Sequence, residues 1–268
     1  MNPAYDLPAL EQQLKKARGL VVTISGGVDS AVLLAAAVKT LGTDSVLAAI
    51  AVSPSLAQAE LEDARAIAES QGVDLVELLT CETKDHRYKA NRGDRCFWCK
   101  EQLFTHATVY AERYGWNVAY GENASDDPGQ RAGARSATNW GVLSPLRDAG
   151  WDKQAVRAYA RDVGLAVAEK PAAPCLASRV ATGVPVNVAD LERIEAIERA
   201  LKNRGYAILR ARHLGAEQMI LEFSAEELER AQQEQEQLLE LASTHGYTDC
   251  TVRRYVCGGV ATAPTSQT

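Results

Sequence analysis

Six consecutive residues, Ser25-Gly26-Gly27-Val28-Asp29-Ser30, have the composition of an anion-binding turn. The two glycines let the backbone turn sharply and approach a ligand closely, and Ser25 and Ser30 add hydroxyl donors. The β-branched run from Leu20 to Ile24 reads as a buried strand, and the alanine- and leucine-rich run after Asp29 reads as a helix. Amides of the turn and the new helix N-terminus would converge on an anion, most simply a phosphate. The turn lacks the lysine and the spacing of the Gly-x4-Gly-Lys-Ser/Thr loop, so it is a different cradle. A corner that merely requires glycines is the competing reading.

The second set is the cysteines. Cys96 and Cys99 form a C-x-x-C, and Cys175 sits in Pro174-Cys175-Leu176-Ala177-Ser178-Arg179. Alone, C-x-x-C is compatible with a redox pair, half a zinc site or two ligands of an iron–sulfur cluster. A redox pair is expected in a thioredoxin-like βαβ setting, and structural zinc wants four closed ligands. No second C-x-x-C or H-x3–5-H is present. Three thiolates on a cubane cluster would leave one iron open to an extra sulfur. Unligated thiols remain a further reading. Cys81, Cys250 and Cys257 fit no such pattern and are expected to be buried structural thiols.

Arg210 and Arg212 alternate in the run Tyr206 to His213, so both side chains would leave one strand face. Two guanidinium groups on one face suit bidentate phosphate binding, and a solvated face with unrelated charges is the alternative. Arg179, Arg131 and Arg135 are weaker candidates for the same anion.

These residues must be positioned by elements. Residues 7–18 read as a short leading helix, Ser45 to Ser53 as a second strand, Leu56 to Gln71 as a helix and Val73 to Leu79 as a third strand. A helix follows over Cys96 to Tyr114, a strand over Trp116 to Tyr120, and a helix over Trp151 to Val163. Strands alternating with helices argue for βαβ units and a parallel sheet that binds ligands at the carboxyl ends of its strands. Ser53, just past the second strand, is therefore a candidate nucleotide contact, or simply a residue opening a loop before Pro54. Gly121 begins a loop that would join the same rim. Residues 80–95 read as irregular.

The remainder changes character. Val188 to Lys202 is amphipathic, Tyr206 to His213 and Gln218 to Phe223 read as paired strands, and Ser224 to Glu227 fits a capping box opening a helix to about Thr244. Thr251 to Val256 reads as a last strand. The expected organisation is an α/β Rossmann-like domain over residues 1–183 and a smaller α+β domain over residues 184–268.

A chain of 268 residues can build one large core or two modest ones. With 46% hydrophobic and 24% charged residues it is ordinary for a globular protein. The formal net charge of −6 does not point to nucleic acid or anionic membrane. No basic segment followed by an apolar run opens the chain, and no stretch has the apolar length of a membrane span. A cytoplasmic, reducing location is expected, which favours ligand, nucleophile or buried-thiol roles over disulfides.

Ser-Gly-Gly-x-Asp-Ser after an N-terminal strand resembles the loop of the PP-loop ATP pyrophosphatases. The resemblance implies that Ser25, Gly26, Gly27, Val28, Asp29 and Ser30 hold ATP phosphates, with Asp29 helping to organise Mg²⁺. Arg95-Cys96-Phe97-Trp98-Cys99 through Phe104, Pro174 through Arg179, and Arg210 through His213 are together similar to the LarE group within that superfamily. That group makes the nickel-pincer nucleotide of lactate racemase by ATP-dependent sulfur transfer, and the similarity spans roughly residues 15–225.

The branch with three cysteines implies a [4Fe–4S] cluster on Cys96, Cys99 and Cys175 that delivers an added sulfide. The branch with a single cysteine gives up its own sulfur instead. By the same resemblance Arg210, Arg212 and Arg179 would bind the phosphate of a pyridinium mononucleotide, and Asn123 and Asp126 would contact substrate. Glu198 and Glu222 align with acidic positions near the site. Val256 to Val260 departs from the group's arginine-containing tail. A small-molecule acceptor, a sulfide donor and a homo-oligomer are expected. A PP-loop tRNA thiolase and a non-catalytic nucleotide- or metal-binding regulator are the alternatives.

Overall fold

The computed structural model describes residues 4–126 and 132–256. The chain divides into two compact units, Met1–Glu82 with Cys96–Ala173 and Thr83–Arg95 with Pro174–Thr268. Residues 174–183 and the detached segment Thr83–Arg95 therefore group with the carboxyl-terminal part of the chain.

The first unit is built on four parallel strands, β1 (Leu20–Thr23), β2 (Val46–Val52), β3 (Leu75–Leu79) and β4 (Asn117–Tyr120), in the order β3-β2-β1-β4. Helices α1 (Leu7–Leu14), α2 (Val28–Leu41) and α3 (Gln58–Ser70) precede α4 (His86–Lys89), which belongs to the second unit. The long α5 (Arg95–Tyr114) leads into β4, and α6 (Ala132–Asn139), α7 (Pro145–Asp148) and α8 (Lys153–Asp162) follow it.

Successive strand residues point to opposite faces, and each face has its own core. Leu20, Val22, Ile24, Val46, Ala48 and Ile50 pack with α1, α2, α3 and α8. Val21, Leu47, Ala49, Val118 and Tyr120 pack with Phe104, Ala107 and Ala111 of α5. This is the α/β Rossmann-like arrangement that the alternation of strands and helices requires.

The chain runs from β1 outward through β2 to β3, then returns to place β4 on the other side of β1. The loops after β1 and β4 therefore flank the point where strand order reverses, the position at which open parallel sheets take their ligands.

The second unit holds α9 (Val188–Asn203) and a three-stranded sheet of β5 (Leu209–Gly215), β6 (Gln218–Phe223) and β7 (Asp249–Arg254). Leu191, Ile194, Ile197 and Leu201 of α9 are fully buried. β5 and β6 are antiparallel around Gly215, where φ is 108°, and β7 runs parallel to β6 after α10 (Leu228–Gln233) and α11 (Gln235–Thr244).

Several expectations are corrected here. The segment expected to be irregular contains a 3₁₀ turn, Glu82–Lys84, and α4. The helix expected from Ser224 to Thr244 begins only at Leu228 and breaks at Glu234. Ser224 Oγ does receive the Glu227 amide at 3.3 Å and donates to Glu227 Oε2 at 3.0 Å, but that carboxylate takes the amides of Ala207 at 2.5 Å and Ile208 at 3.1 Å, while the Ser224 amide goes to the Ile208 carbonyl at 3.0 Å. At the break, the Glu234 carboxylate accepts from Tyr206 Oη at 3.0 Å.

Candidate functional site

The loop after β1 is shaped before any ligand arrives. Ser30 Oγ accepts from the Ser25 amide at 3.1 Å and donates to the Gly27 carbonyl at 3.0 Å, closing the turn on itself. Gly26 has φ of 72°, and a Cβ there would stand 2.6 Å from the Glu60 carbonyl oxygen. Glycine is required on both counts. The Gly26 carbonyl is fixed from outside by Lys170 Nζ at 3.0 Å, whose ammonium also meets Glu60 at 2.7 Å and Asp63 at 2.5 Å. No side-chain hydrogen bond caps α2 at Gly27, so the first-turn amides of a 14-residue helix face outward with its positive dipole end.

The loop after β4 closes against this turn. A Cβ at Gly121 would lie 2.7 Å from the Ser30 amide nitrogen and 2.9 Å from the Asp29 carbonyl carbon, so only glycine allows the two loops to touch. Asn123 Nδ2 donates to Asp29 Oδ1 at 3.0 Å, while Asp126 Oδ2 accepts from the Asn123 amide at 3.2 Å and tightens the loop. The other Asp29 oxygen is bonded by Lys153 Nζ at the start of α8. Lys153 was not signalled by any motif, because it lies 124 residues from its partner. Its position just after the Asp152 cap, which receives the Ala155 amide at 2.8 Å, was the one available clue.

Ser53 lies on the same carboxyl edge. Its hydroxyl donates to Glu82 Oε1 at 2.5 Å and accepts from the Ser55 amide at 3.2 Å. Beyond β4, Glu122 is buried and accepts from Tyr120 Oη at 2.5 Å and Arg147 at 2.5 Å, which anchors the loop next to Asn123. Burial and the Glu122 carboxylate push the Tyr120 phenol well above its usual range.

Cys96 and Cys99 occupy the first turn of α5, three residues apart, with Cys96 exposed and Cys99 half-buried. A helix N-terminus favours the thiolate. Phe97 and Trp98 pack edge to face beside them, and the Arg135 guanidinium stands 5.0 Å over the Phe97 ring. Arg135 thus stacks on an aromatic, and Arg131 lies outside the described residues.

Cys175 belongs to the second unit, at the head of the 3₁₀ turn Leu176–Arg179. The three-cysteine set is therefore not assembled within either unit. Among the described residues no group of three or more His, Cys, Asp or Glu that could hold a metal is found. Cys81 is exposed, not buried, with Sγ 3.8 Å from Gln102 Oε1. Thr80 and Glu82 on either side point inward, and the alternation turns Cys81 out. Cys250 is half-buried, and burial with the neighbouring Asp249 carboxylate pushes its thiol up to about 11. Cys257 lies outside the described residues.

Arg179, Arg210 and Arg212 are buried and do not form a solvated strand face. Arg179 makes a two-pronged pair with Glu198, at 2.9 and 3.0 Å, and also donates to the carbonyls of Pro174 and, at 3.1 Å, Cys175. Arg212 pairs with Glu222 at 2.9 Å and donates to the Ser178 carbonyl at 3.0 Å. Arg253 joins Glu222 at 2.7 Å. Glu198 and Glu222 are thus buried counter-charges. Arg210 is 9% exposed and its guanidinium stands 5.3 Å from the centre of the Tyr255 ring. Burial, reinforced by Arg179, pushes its pKa down, as expected where cations outnumber carboxylates. The turn that carries Cys175 is held by the same arginines.

No helix among the described residues is long and apolar enough to cross a membrane. The NAD synthase family model matches residues 8–91, the stretch that carries β1, the glycine turn and β2. An uncharacterised protein of Synechocystis is 37% identical over 193 residues, covering 72% of each chain. The pyridinium-3,5-bisthiocarboxylic acid mononucleotide synthase of Lactiplantibacillus plantarum is 28% identical over 200 residues, covering 74% of this chain and 72% of that enzyme. The NH(3)-dependent NAD(+) synthetase of Methanococcoides burtonii is 43% identical, but over only 56 residues, 21% of each chain.

Proposed function

The chain belongs to the LarE-type family of PP-loop proteins, and from that premise we propose that it is an ATP-dependent sulfur transferase acting on a carboxylated pyridinium mononucleotide. The observation that carries the reading is the closed glycine turn at the uncapped start of α2, with Asp29 held between Asn123 and Lys153. The name of the Lactiplantibacillus relative, a synthase of pyridinium-3,5-bisthiocarboxylic acid mononucleotide, supports the choice of acceptor.

In this account the amides of residues 26–30 receive the phosphates of ATP. A carboxylate oxygen of the acceptor attacks the α-phosphorus, the bond to the bridging oxygen breaks, and pyrophosphate leaves with the electron pair. The acyl-adenylate that results carries AMP as a leaving group, which the free carboxylate lacked. Lys153 lies where negative charge develops on the phosphates, and its effect is electrostatic. The Asp29 carboxylate has the oxygen chemistry that Mg²⁺ takes, and would hold it with the phosphates.

A sulfur nucleophile then attacks the acyl carbon, and the C–O bond to AMP breaks. Arg179, Arg210 and Arg212 hold the acceptor's phosphate in a site with an excess of positive charge. Cys96, Cys99 and Cys175 are outside any disulfide and of the residue type that ligates iron–sulfur clusters, and Cys96 and Cys99 share one helix turn. A bound [4Fe–4S] cluster would supply an iron able to carry the transferred sulfide. Homo-oligomer formation, a separate sulfide donor and a cytoplasmic setting complete the proposal.

Anaerobic purification followed by iron, sulfide and zinc assays tests the thiol assignment. Iron near four per chain, lost in Cys96→Ala and Cys175→Ala, is expected at about the stoichiometry of a cubane. Zinc in place of iron would make the cysteines structural, and neither metal would return Cys175 to the role of a sulfur donor consumed in the reaction.

A further inference from the structure

Glu82 is 1% exposed, and its two carboxylate oxygens are not equivalent. Oε1 accepts from Ser53 Oγ at 2.5 Å, and the Ser53 oxygen also receives the Ser55 amide at 3.2 Å. Oε2 has no hydrogen-bond partner among the described residues. Two residues earlier Thr80, 8% exposed, has Oγ1 in the same condition. A buried acceptor and a buried hydroxyl beyond one strand end, each without a partner among the described residues, would be satisfied by a ligand that brings a donor and an acceptor.

The sheet says which part of a ligand arrives there. The glycine turn follows β1, Ser53 follows β2 and Thr80–Glu82 follow β3; these strands are adjacent and parallel, and β2 and β3 run on past the level of Thr23, alongside the turn. The Thr80 amide still donates to the Val52 carbonyl at 3.1 Å, so the pairing continues to the rim. Neighbouring strands are about 4.8 Å apart, which puts the β3 rim about 10 Å from the turn, on the scale of a mononucleotide. With phosphates at the turn, the ribose crosses the end of β2 and the base reaches β3.

Resting on the ATP reading above, we infer that Glu82 reads the base: Oε2 accepts the 6-amino group of adenine, and Thr80 Oγ1 donates to the adjacent ring nitrogen. Ser53 acts as a positioning residue that holds Oε1 and aims Oε2.

The test is the dissociation constant of the full chain for ATP and for purine riboside 5′-triphosphate, which lacks the 6-amino group. Both are titrated with Mg²⁺ and no acceptor. The wild type should prefer ATP by about tenfold or more, the effect of one hydrogen bond to a charged partner. In Glu82→Gln the amide oxygen keeps the Ser53 bond and its NH₂ faces the base. The preference should then fall to within about twofold or reverse. Should that variant fail to fold, Ser53→Ala must narrow the same ratio, because the carboxylate loses its orientation.

An unchanged ratio in a folded Glu82→Gln would overturn the assignment and leave the ATP reading standing. So would loss of discrimination against 2′-deoxy-ATP alone, which would place Glu82 on the ribose. A wild-type chain that binds neither nucleotide would overturn both.

Discussion

The ammonium of Lys153 is bonded to the carboxylate of Asp29, joining the start of α8 to the first turn of α2. Asn123 holds the other oxygen at 3.0 Å, so Asp29 is oriented from two sides. In the proposed reaction Lys153 exchanges this carboxylate for a phosphate as ATP arrives.

Lys153→Met should therefore lower the rate of AMP formation by about a hundredfold or more, the scale on which a preorganised charge acts on a transition state. Lys153→Arg should retain part of that rate. AMP release measured with saturating ATP checks both. Equal rates in wild type and Lys153→Met would reduce the lysine to an ion pair that steadies the loop.

The glycine turn was legible because its residues are contiguous and sit between a β-branched run and an alanine-rich one. The parallel sheet was legible for the same reason, since period and strand–helix alternation are local signals. Lys153 and Glu82 were not, because each acquires its meaning from a partner far along the chain. Glu82 meets Ser53 across 29 residues, in a segment whose polarity reads as loop. The arginine strand shows the same limit. Alternation placed Arg210 and Arg212 on one face, but the burial of that face depends on Glu198 and Glu222 arriving from α9 and β6. Cys81 departs from the burial usual for Cys because Thr80 and Glu82 take the inward positions.

The buried arginine network separates stability from substrate binding. Glu198→Ala leaves Arg179 buried without its counter-charge and removes the acceptor for the Ala211 amide, bonded at 3.0 Å. The cost should be about 3–5 kcal/mol, read as a lower urea midpoint. Arg210→Met removes a guanidinium that burial already disfavours, so stability should hold. The KM for the mononucleotide should rise while ATP affinity is unchanged. A rise in both constants would place Arg210 outside the acceptor site.

His213 makes the second unit sensitive to acid. It is 2% exposed, with Nδ1 3.2 Å from Tyr247 Oη and Nε2 3.6 Å from Asp190, and Arg193 packs on the Tyr247 ring. Burial lowers its pKa below the ordinary 6.5, Asp190 opposes that shift, and Arg193 adds to it. The unfolded chain then takes the proton more readily than the folded one. The stabilising contribution is complete above about pH 6.5 and is lost as the pH falls below it. The urea midpoint should drop between about pH 7.5 and about pH 5.5, and His213→Gln should flatten that drop. Parallel curves would assign the acid sensitivity to other groups.

The thiols should separate by alkylation. Cys81 is exposed and should react fastest with iodoacetamide near neutral pH, while Cys250, pushed up to about 11, should lag. Cys96 is also exposed, and in the proposed reading a bound cluster slows its alkylation in anaerobically prepared protein. Protection lost on chelation is expected. Immediate labelling of Cys96 in untreated protein would argue against a bound cluster.

The most direct test is a stoichiometry. Anaerobic protein is mixed with Mg-ATP, a sulfide source and pyridinium-3,5-dicarboxylate mononucleotide, and AMP, pyrophosphate and the acceptor's mass are followed together. The account predicts one AMP and one pyrophosphate for each carboxylate oxygen replaced by sulfur, with neither formed when the acceptor is omitted. AMP release without any gain of sulfur, or an acceptor returned unchanged with ATP intact, would contradict it.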